Sequence, residues 1–158
     1  MKIVVMSDTH LSRVTDDFSY LCSEFCDNVD MVIHLGDWEN VAILNYLEQY
    51  RLEAVCGNMD DHTIRERLPA VKVIRVGNFR LGLTHGWGSP NGIRRRIGKE
   101  FKDVDAILFG HTHQPLALQE NGLLWFNPGS LYLGRGDSRR SIGILSIKDT
   151  IRPEIINL

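Results

Sequence analysis

With 158 residues, of which 43% are hydrophobic and 24% charged, the chain has the composition of an ordinary globular protein, which excludes a disordered or low-complexity one. A chain of this length buries about two thirds of its unfolded surface unaided, so one domain over residues 1–158 is expected and no metal is required merely to fold it. The formal charge of −2 excludes attraction to phosphate backbones or anionic lipid by bulk electrostatics, so any phosphate affinity must be local.

The chain opens on Met1-Lys2-Ile3-Val4-Val5-Met6, too short an apolar stretch for the core of a signal peptide, and no window approaches a membrane span. A cytoplasmic location is expected, and three cysteines, Cys22, Cys26 and Cys56, fit a reducing compartment rather than a disulfide framework.

Residues 2–7 read as a strand, 8–13 as a loop, 15–28 as a helix and Met31-Val32-Ile33-His34-Leu35 as a second buried strand, a β-α-β opening. Phe18, Leu21, Cys22, Phe25, Cys26 and Val29 form one stripe at helical spacing, so the paired cysteines read as packing rather than as metal ligands. The unit repeats with a helix at 40–50, whose inner face carries Ile43, Tyr46, Leu47 and Tyr50, and a strand at 52–56. Continuous apolar strands alternating with helices imply a parallel sheet, with ligands beyond the strand carboxyl ends. After Pro69 the pattern changes to strands at 71–76 and 79–85 joined by a Gly77-Asn78 hairpin, a helix at 91–101 marked by Ile93, Ile97 and Phe101, and a strand at 106–109. The tail predicts antiparallel pairs at 115–119 with 123–126 and at 141–148 with 151–157, separated by a glycine-rich loop around 127–138. Together these predict an α/β domain with two sheets face to face and helices outside.

Each apolar run is followed by the same kind of chemistry: Asp8-Thr9-His10, Gly36-Asp37, Gly57-Asn58, His85-Gly86 and Gly110-His111-Thr112-His113. An isolated Asp-x-His or His-x-His is more often plain surface than a ligand pair, but recurrence at every strand end is how a fold gathers distant ligands around metal. Imidazole, carboxylate and amide oxygen without thiolate favour Mn, Fe, Co, Ni or Zn over Ca or Mg. Seven ligands exceed one four-coordinate centre and suit two ions sharing a carboxylate, roughly 3.5–4 Å apart. Two divalent ions outweigh the two negative charges of Asp8 and Asp37, leaving a cationic site suited to phosphate.

This order of motifs, D-x-H, G-D, G-N-x-D, H-G and G-H-T-H, resembles the calcineurin-like metallophosphoesterase superfamily, and within it the small single-domain branch of bacterial and archaeal phosphodiesterases. The resemblance runs from Asp8 to Asn127-Pro128-Gly129-Ser130 and implies a four-layer α/β/β/α sandwich of two mixed sheets with flanking helices. It implies that Asp8, His10 and His113 hold one ion, that Asn58, His85 and His111 hold the other, and that Asp37 bridges them. The activity it implies is phosphodiester hydrolysis of a small or nucleotide-like phosphoester by a hydroxide bridging two divalent transition-metal ions, with Mn first and Ni, Co, Fe or Zn as alternatives. Asn58 would then serve both metal and substrate, neutralising charge on the phosphoryl oxygens.

The chain departs from that pattern at Gly57-Asn58-Met59-Asp60, where larger relatives carry histidine before the aspartate. A thioether donates no proton to a leaving alkoxide, and such help is worth about 10²–10⁴-fold. Asp60 and His62 are the nearby substitutes, though His62 reads equally well as solvent-exposed surface. His34 reads as a satisfied core histidine, and Trp87 either lines the substrate mouth or packs. Arg94-Arg95-Arg96 form a solvated helix face by default, with Arg94 the candidate contact to substrate phosphate because its helix starts just past His85. The Gly134-Arg135-Gly136-Asp137 stretch is discounted as an adhesion motif, and Arg135, Arg139 and Arg140 are expected at the cleft border or a subunit contact.

Two rival functions follow. One is a noncatalytic metal-binding interaction module on the same fold, resembling the retromer subunit; retention of Asn58 and four ligand histidines argues against it. The other is a nuclease, disfavoured because no broad basic surface is written in the sequence. The expected partner is thus a small phosphoester substrate, not a membrane or long nucleic acid, and a symmetric homodimer is expected from general frequency.

Overall fold

The computed structural model describes residues 1–132 and 139–158, so the Gly134–Asp137 stretch and Arg135 lie outside the described residues. In chain order the elements are β1 (Lys2–Met6), α1 (Asp16–Cys26), β2 (Met31–His34), α2 (Val41–Leu47), β3 (Leu52–Ala54), α3 (His62–Arg67), β4 (Val71–Val76), β5 (Phe79–Thr84), α4 (Ile93–Ile97), a 3-10 turn (Gly98–Glu100), β6 (Ala106–Leu108), β7 (Leu116–Glu120), β8 (Leu123–Asn127), β9 (Ser141–Ile147) and β10 (Ile151–Asn157).

They form two five-stranded sheets, ordered β10-β9-β1-β2-β3 and β4-β5-β6-β8-β7. Both are mixed: β1, β2 and β3 run parallel with β9 antiparallel to β1, and β5, β6 and β8 run parallel with β4 and β7 antiparallel at the two edges. The two tail hairpins form as expected but separate, β7–β8 joining the second sheet and β9–β10 the first.

Alternation along each strand builds the layers. Ile3, Val5, Met31 and Ile33 face the second sheet, where they bury against Leu81, Leu83, Leu108 and Phe126. Their neighbours Val4, Met6 and Val32 point the other way, onto Phe18, Leu21 and Cys22 of α1 and Ile43, Leu44 and Leu47 of α2. On the far side Ile93, Ile97 and Phe101 cover Ile107, Phe109 and Trp125. The result is the α/β/β/α sandwich, and each fully buried Leu, Ile or Phe contributes about 1.5–3 kcal/mol to it. Cys22 and Cys26 sit within the α1 stripe as free, buried thiols.

Local chemistry sets the helix boundaries. The Thr15 side chain caps α1 by accepting the Phe18 N–H at 3.2 Å, and Asp16 and Asp17 occupy its positive first turn. Helix α3 has no counterpart in the apolar periodicity because it buries only Ile64; Asp61 starts it, accepting the Ile64 N–H at 2.9 Å. The helix expected over 91–101 is shorter, tightening into the 3-10 turn at Gly98, where a side chain would stand 3.0 Å from the Trp125 ring.

Candidate metal centre

The parallel strands of both sheets deliver their following loops to one edge of the sandwich. Asp8 N–H donates to the Gly36 carbonyl at 3.0 Å and Gly110 N–H to the His85 carbonyl at 3.0 Å, while His111 N–H crosses between sheets to Asp8 Oδ2 at 3.1 Å. Close approach explains the glycines. A Cβ on Gly57 would lie 2.2 Å from Asp37 Oδ1, and one on Gly110 would lie 1.9 Å from Ser7 Oγ. Among the described residues, Asp8, His10, Asp37, His111 and His113 all hold positive φ between 49° and 65°, a left-handed backbone costing about 1 kcal/mol or more per non-glycine residue.

Asp8 is the hub. Its Oδ2 accepts the Ser7 hydroxyl at 2.6 Å and the His111 N–H, leaving Oδ1 aimed inward, 3.0 Å from His113 Nε2, 3.9 Å from His10 Nε2 and 4.0 Å from His85 Nε2. Asp37 Oδ2 stands 3.2 Å from His85 Nε2 and 3.7 Å from His10 Nε2, while its Oδ1 accepts the Met59 N–H at 2.8 Å. Two donor groups compatible with a cation result, Asp8–His10–His113 and Asp8–Asp37–His85. The ring of His111 packs edge-on to His85, with centroids 5.3 Å apart, and its Nδ1 meets Asn58 Oδ1 at 3.0 Å. Five of the seven sequence-predicted ligands therefore cluster directly, and Asn58 and His111 flank them on the open side.

The tautomers are fixed from behind. His85 Nδ1 lies 2.7 Å from the Leu35 carbonyl and His111 Nε2 lies 2.7 Å from the Gly88 carbonyl; a carbonyl only accepts, so both nitrogens carry hydrogen. In the neutral rings the opposite nitrogens present lone pairs, His85 Nε2 toward Asp37 and His111 Nδ1 toward Asn58 Oδ1. Acceptor then faces acceptor, an arrangement that a shared cation reconciles. Asp8 Oδ1, His10 Nε2 and His85 Nε2 are buried without a well-formed hydrogen bond, so the donor set fits a divalent ion.

Electrostatics agree. Burial opposes ionisation of Asp8, but His113, His85 and the Ser7 hydroxyl hold its pKa below the ordinary carboxylate value. Asp37 is likewise penalised by burial yet lowered to about 2 by His85, the Met59 N–H and His10. Burial disfavours charged His85, and the two carboxylates overcome it and raise its pKa.

The remaining candidates lie elsewhere. Asp60 is no free acid: its Oδ1 accepts Trp38 N–H at 2.6 Å and Glu39 N–H at 3.1 Å and its Oδ2 accepts Gly57 N–H at 2.6 Å. It ties the loop of Asp37 to the loop of Asn58. His62 starts α3 with its side chain 84% exposed beside Glu66 at 3.7 Å, and so does not substitute for Met59, itself exposed. Arg94 bonds Glu120 on β7 at 2.8 Å and covers Trp125, which takes it away from the cluster. Arg140 bonds the Leu131 carbonyl and Asp17, over the Tyr132 ring.

His34 is the satisfied core histidine expected: fully buried, stacked on Trp38 at 3.5 Å, with Nδ1 accepting Gly36 N–H and Nε2 bonded to Thr9 Oγ1 at 2.7 Å. Burial pushes its pKa down to about 3. Sequence reasoning missed the supporting network in which Asn127 Nδ2 donates to the Gly110 carbonyl and Thr112 Oγ1, and Ser130 Oγ donates to the Asp8 carbonyl at 2.9 Å. The Asn127-Pro128-Gly129-Ser130 signature was the available signal.

Facing mixed sheets with a carboxylate–imidazole donor set at their carboxyl edge define a metallophosphoesterase scaffold. The comparisons with known proteins agree: residues 1–150 match the calcineurin-like phosphoesterase superfamily domain, and the chain belongs to that family. It is similar to a probable metallophosphoesterase of Methanocaldococcus jannaschii, 34% identical across 99% of this chain and 81% of that one. The crystal structure of a predicted phosphoesterase from Streptococcus pneumoniae superposes with a TM-score of 0.78 at 26% identity, over 99% of this chain and 88% of that one. Vacuolar protein sorting-associated protein 29 of Schizosaccharomyces pombe is 28% identical over 82% of this chain and 72% of its own length. Among the described residues no helix is long and apolar enough to cross a membrane.

Proposed function

We propose that this protein is a metal-dependent phosphoesterase, with phosphodiesters the preferred class, acting on a small or nucleotide-like substrate. The observation that carries the reading is the convergence of Asp8, His10, Asp37, His85 and His113, with the Leu35 carbonyl fixing the His85 tautomer so that its Nε2 lone pair faces inward. Asp8, His10 and His113 form one half of the centre. Asn58, His85 and His111 form the other. Asp37, whose Oδ2 faces His10 on one side and His85 on the other, would be the carboxylate shared between the two halves.

Two divalent ions, manganese foremost, would supply positive charge and an activated water at this set. The chain's own contribution is placement. Asn58 and His111 sit on the exposed side of the buried cluster, where Asn58 is positioned to meet phosphoryl oxygens. Asp60 holds the Asn58 loop against the Asp37 loop, and the Leu35 and Gly88 carbonyls keep His85 and His111 oriented.

Met59, exposed and without a transferable proton, favours a second reading, the noncatalytic metal-binding interaction module that the retromer resemblance implies. One experiment separates the two. Chelator-stripped protein receives Mn, Ni, Co or Zn with an activated aryl phosphodiester and the matching monoester. Turnover that is lost in Asp37→Ala, with the fold intact by circular dichroism, supports the enzyme. No turnover of either ester with any of the four metals overturns it.

A further inference from the structure

Beside the cluster lies a cleft of about 470 Å³, within the range of small-ligand sites, whose walls include Asn58, His85, Trp87, Arg65 and Pro69. A second cleft, about 610 Å³ around Met1, Asp30 and Lys148, holds none of the donor residues. On the wall of the cleft beside the cluster, the Trp87 side chain is both solvent-open and fixed. Trp87 is 52% exposed, two positions from the buried His85.

That indole is held at two points. Its Nε1 donates to Glu100 Oε1 at 3.1 Å. The Arg96 guanidinium stands 5.5 Å from the ring centroid. Arg96 is itself anchored, donating to the carbonyls of Trp87, Ser89 and Asn91, so it serves as a fixed support and not a mobile surface cation. A ring already ordered in this way loses little freedom when something stacks on it, which is what separates a binding platform from an incidental surface tryptophan. Arg65, pinned to the Asn58 carbonyl at 2.7 Å, adds positive charge on the same cleft.

We propose that Trp87 is the platform for a flat aromatic group, a nucleobase or an aryl ring, carried on the substrate's phosphorus, and thereby sets specificity. The inference rests on the phosphoesterase reading of the neighbouring cluster: the phosphoryl group occupies the Asn58–His85 side and the aromatic group extends over Trp87. Stacking of one ring on an aromatic side chain is worth about tenfold or more in affinity.

The test is calorimetric binding of phosphonates, whose P–C bond resists hydrolysis, to the Mn-loaded full chain. Phenylphosphonate against methylphosphonate is the aryl arm; the phosphonate analogue of AMP against that of ribose 5-phosphate is the nucleobase arm. At least one aromatic member is expected to bind about tenfold tighter than its partner, with Trp87→Ala abolishing that preference and Trp87→Phe keeping most of it. An unchanged methylphosphonate affinity in Trp87→Ala reports an intact fold. Phosphonate binding without aromatic preference, or a preference that survives Trp87→Ala, overturns the platform while leaving the phosphoesterase reading standing. Absence of any phosphonate or orthophosphate binding overturns both.

Discussion

Asp60 offers the sharpest separation of a structural from a catalytic role. Replacing it with alanine strips acceptors from three backbone N–H groups, those of Trp38, Glu39 and Gly57. The buried Trp38 donor left unsatisfied costs about 1–3 kcal/mol, and the Glu39 and Gly57 N–H groups, being partly open to water, count for less, so Asp60→Ala should destabilise by about 2–4 kcal/mol. For a chain of this length that is a fall in Tm of about 10 °C. Asp60→Asn keeps an acceptor for Trp38 and Glu39 but can turn an NH₂ toward the Gly57 N–H, so about half the loss is expected. Because the clamp joins the Asp37 and Asn58 loops, Mn affinity should fall by about 10–100-fold in parallel. Thermal unfolding with and without Mn, followed by metal titration, measures both. If Asp60 were instead a proton donor, Asp60→Asn would keep parental stability and metal affinity and lose turnover of alkyl esters selectively; a Tm within about 2 °C of the parent refutes the clamp.

The metal-free protein should be most stable near about pH 6–7, and the sign follows from three groups. Asp37, lowered from 3.8 to about 2, and His34, lowered from 6.5 to about 3, contribute stability present above their unfolded values and lost as pH falls through their folded ones. His85, raised from 6.5, contributes stability present below that value and lost as pH rises through its folded pKa; Mn should restore the alkaline side, and a chelated sample whose Tm climbs steadily from about pH 6 to 9 contradicts this. Gly57→Ala puts a Cβ 2.2 Å from Asp37 Oδ1 and should lower turnover by about 10²-fold through displacement of that carboxylate, which a kcat measurement checks. His62→Ala and Arg94→Ala should leave kcat/KM and its pH profile unchanged, since those side chains pair with Glu66 and Glu120.

The layered fold was legible because buried strands announce themselves as apolar runs: β4 and β10 match their expected limits, and β1, β2 and β5 differ from theirs by a residue. Partition of the tail between sheets was not legible, since a hairpin pattern says which strands pair locally and nothing about which sheet they join. In the site, the gathering of Asp8, His10, Asp37, His85 and His113 followed from recurrence at strand ends, but the reach of Asp60 did not. Its bonds go to Trp38 and Glu39, more than twenty residues away, and proximity to Met59 in sequence suggested a role that geometry replaces. Arg94 failed for a related reason: a helix start near the site does not say which way its first side chain points, and Glu120 draws it to β7.

The same geometry bears on why the centre lacks an acid at Met59. Five left-handed non-glycine residues and the facing acceptors of His111 and Asn58 are costly in a metal-free protein, and a bound cation offsets that cost by stabilising the folded state. A metal-holding binding module would bear that cost as the phosphoesterase proposed above does, so it is the ester chemistry that tells the two apart. Such a centre still requires the departing oxygen to leave unassisted, which a phenolic oxygen with a pKa near about 10 does far more readily than an alkoxide. If Trp87 is the platform proposed above, the missing proton donor at Met59 favours the aryl arm of its test, because an aryl group leaves as a stabilised phenolate whereas a nucleobase rides on a ribose whose departing alkoxide needs a proton.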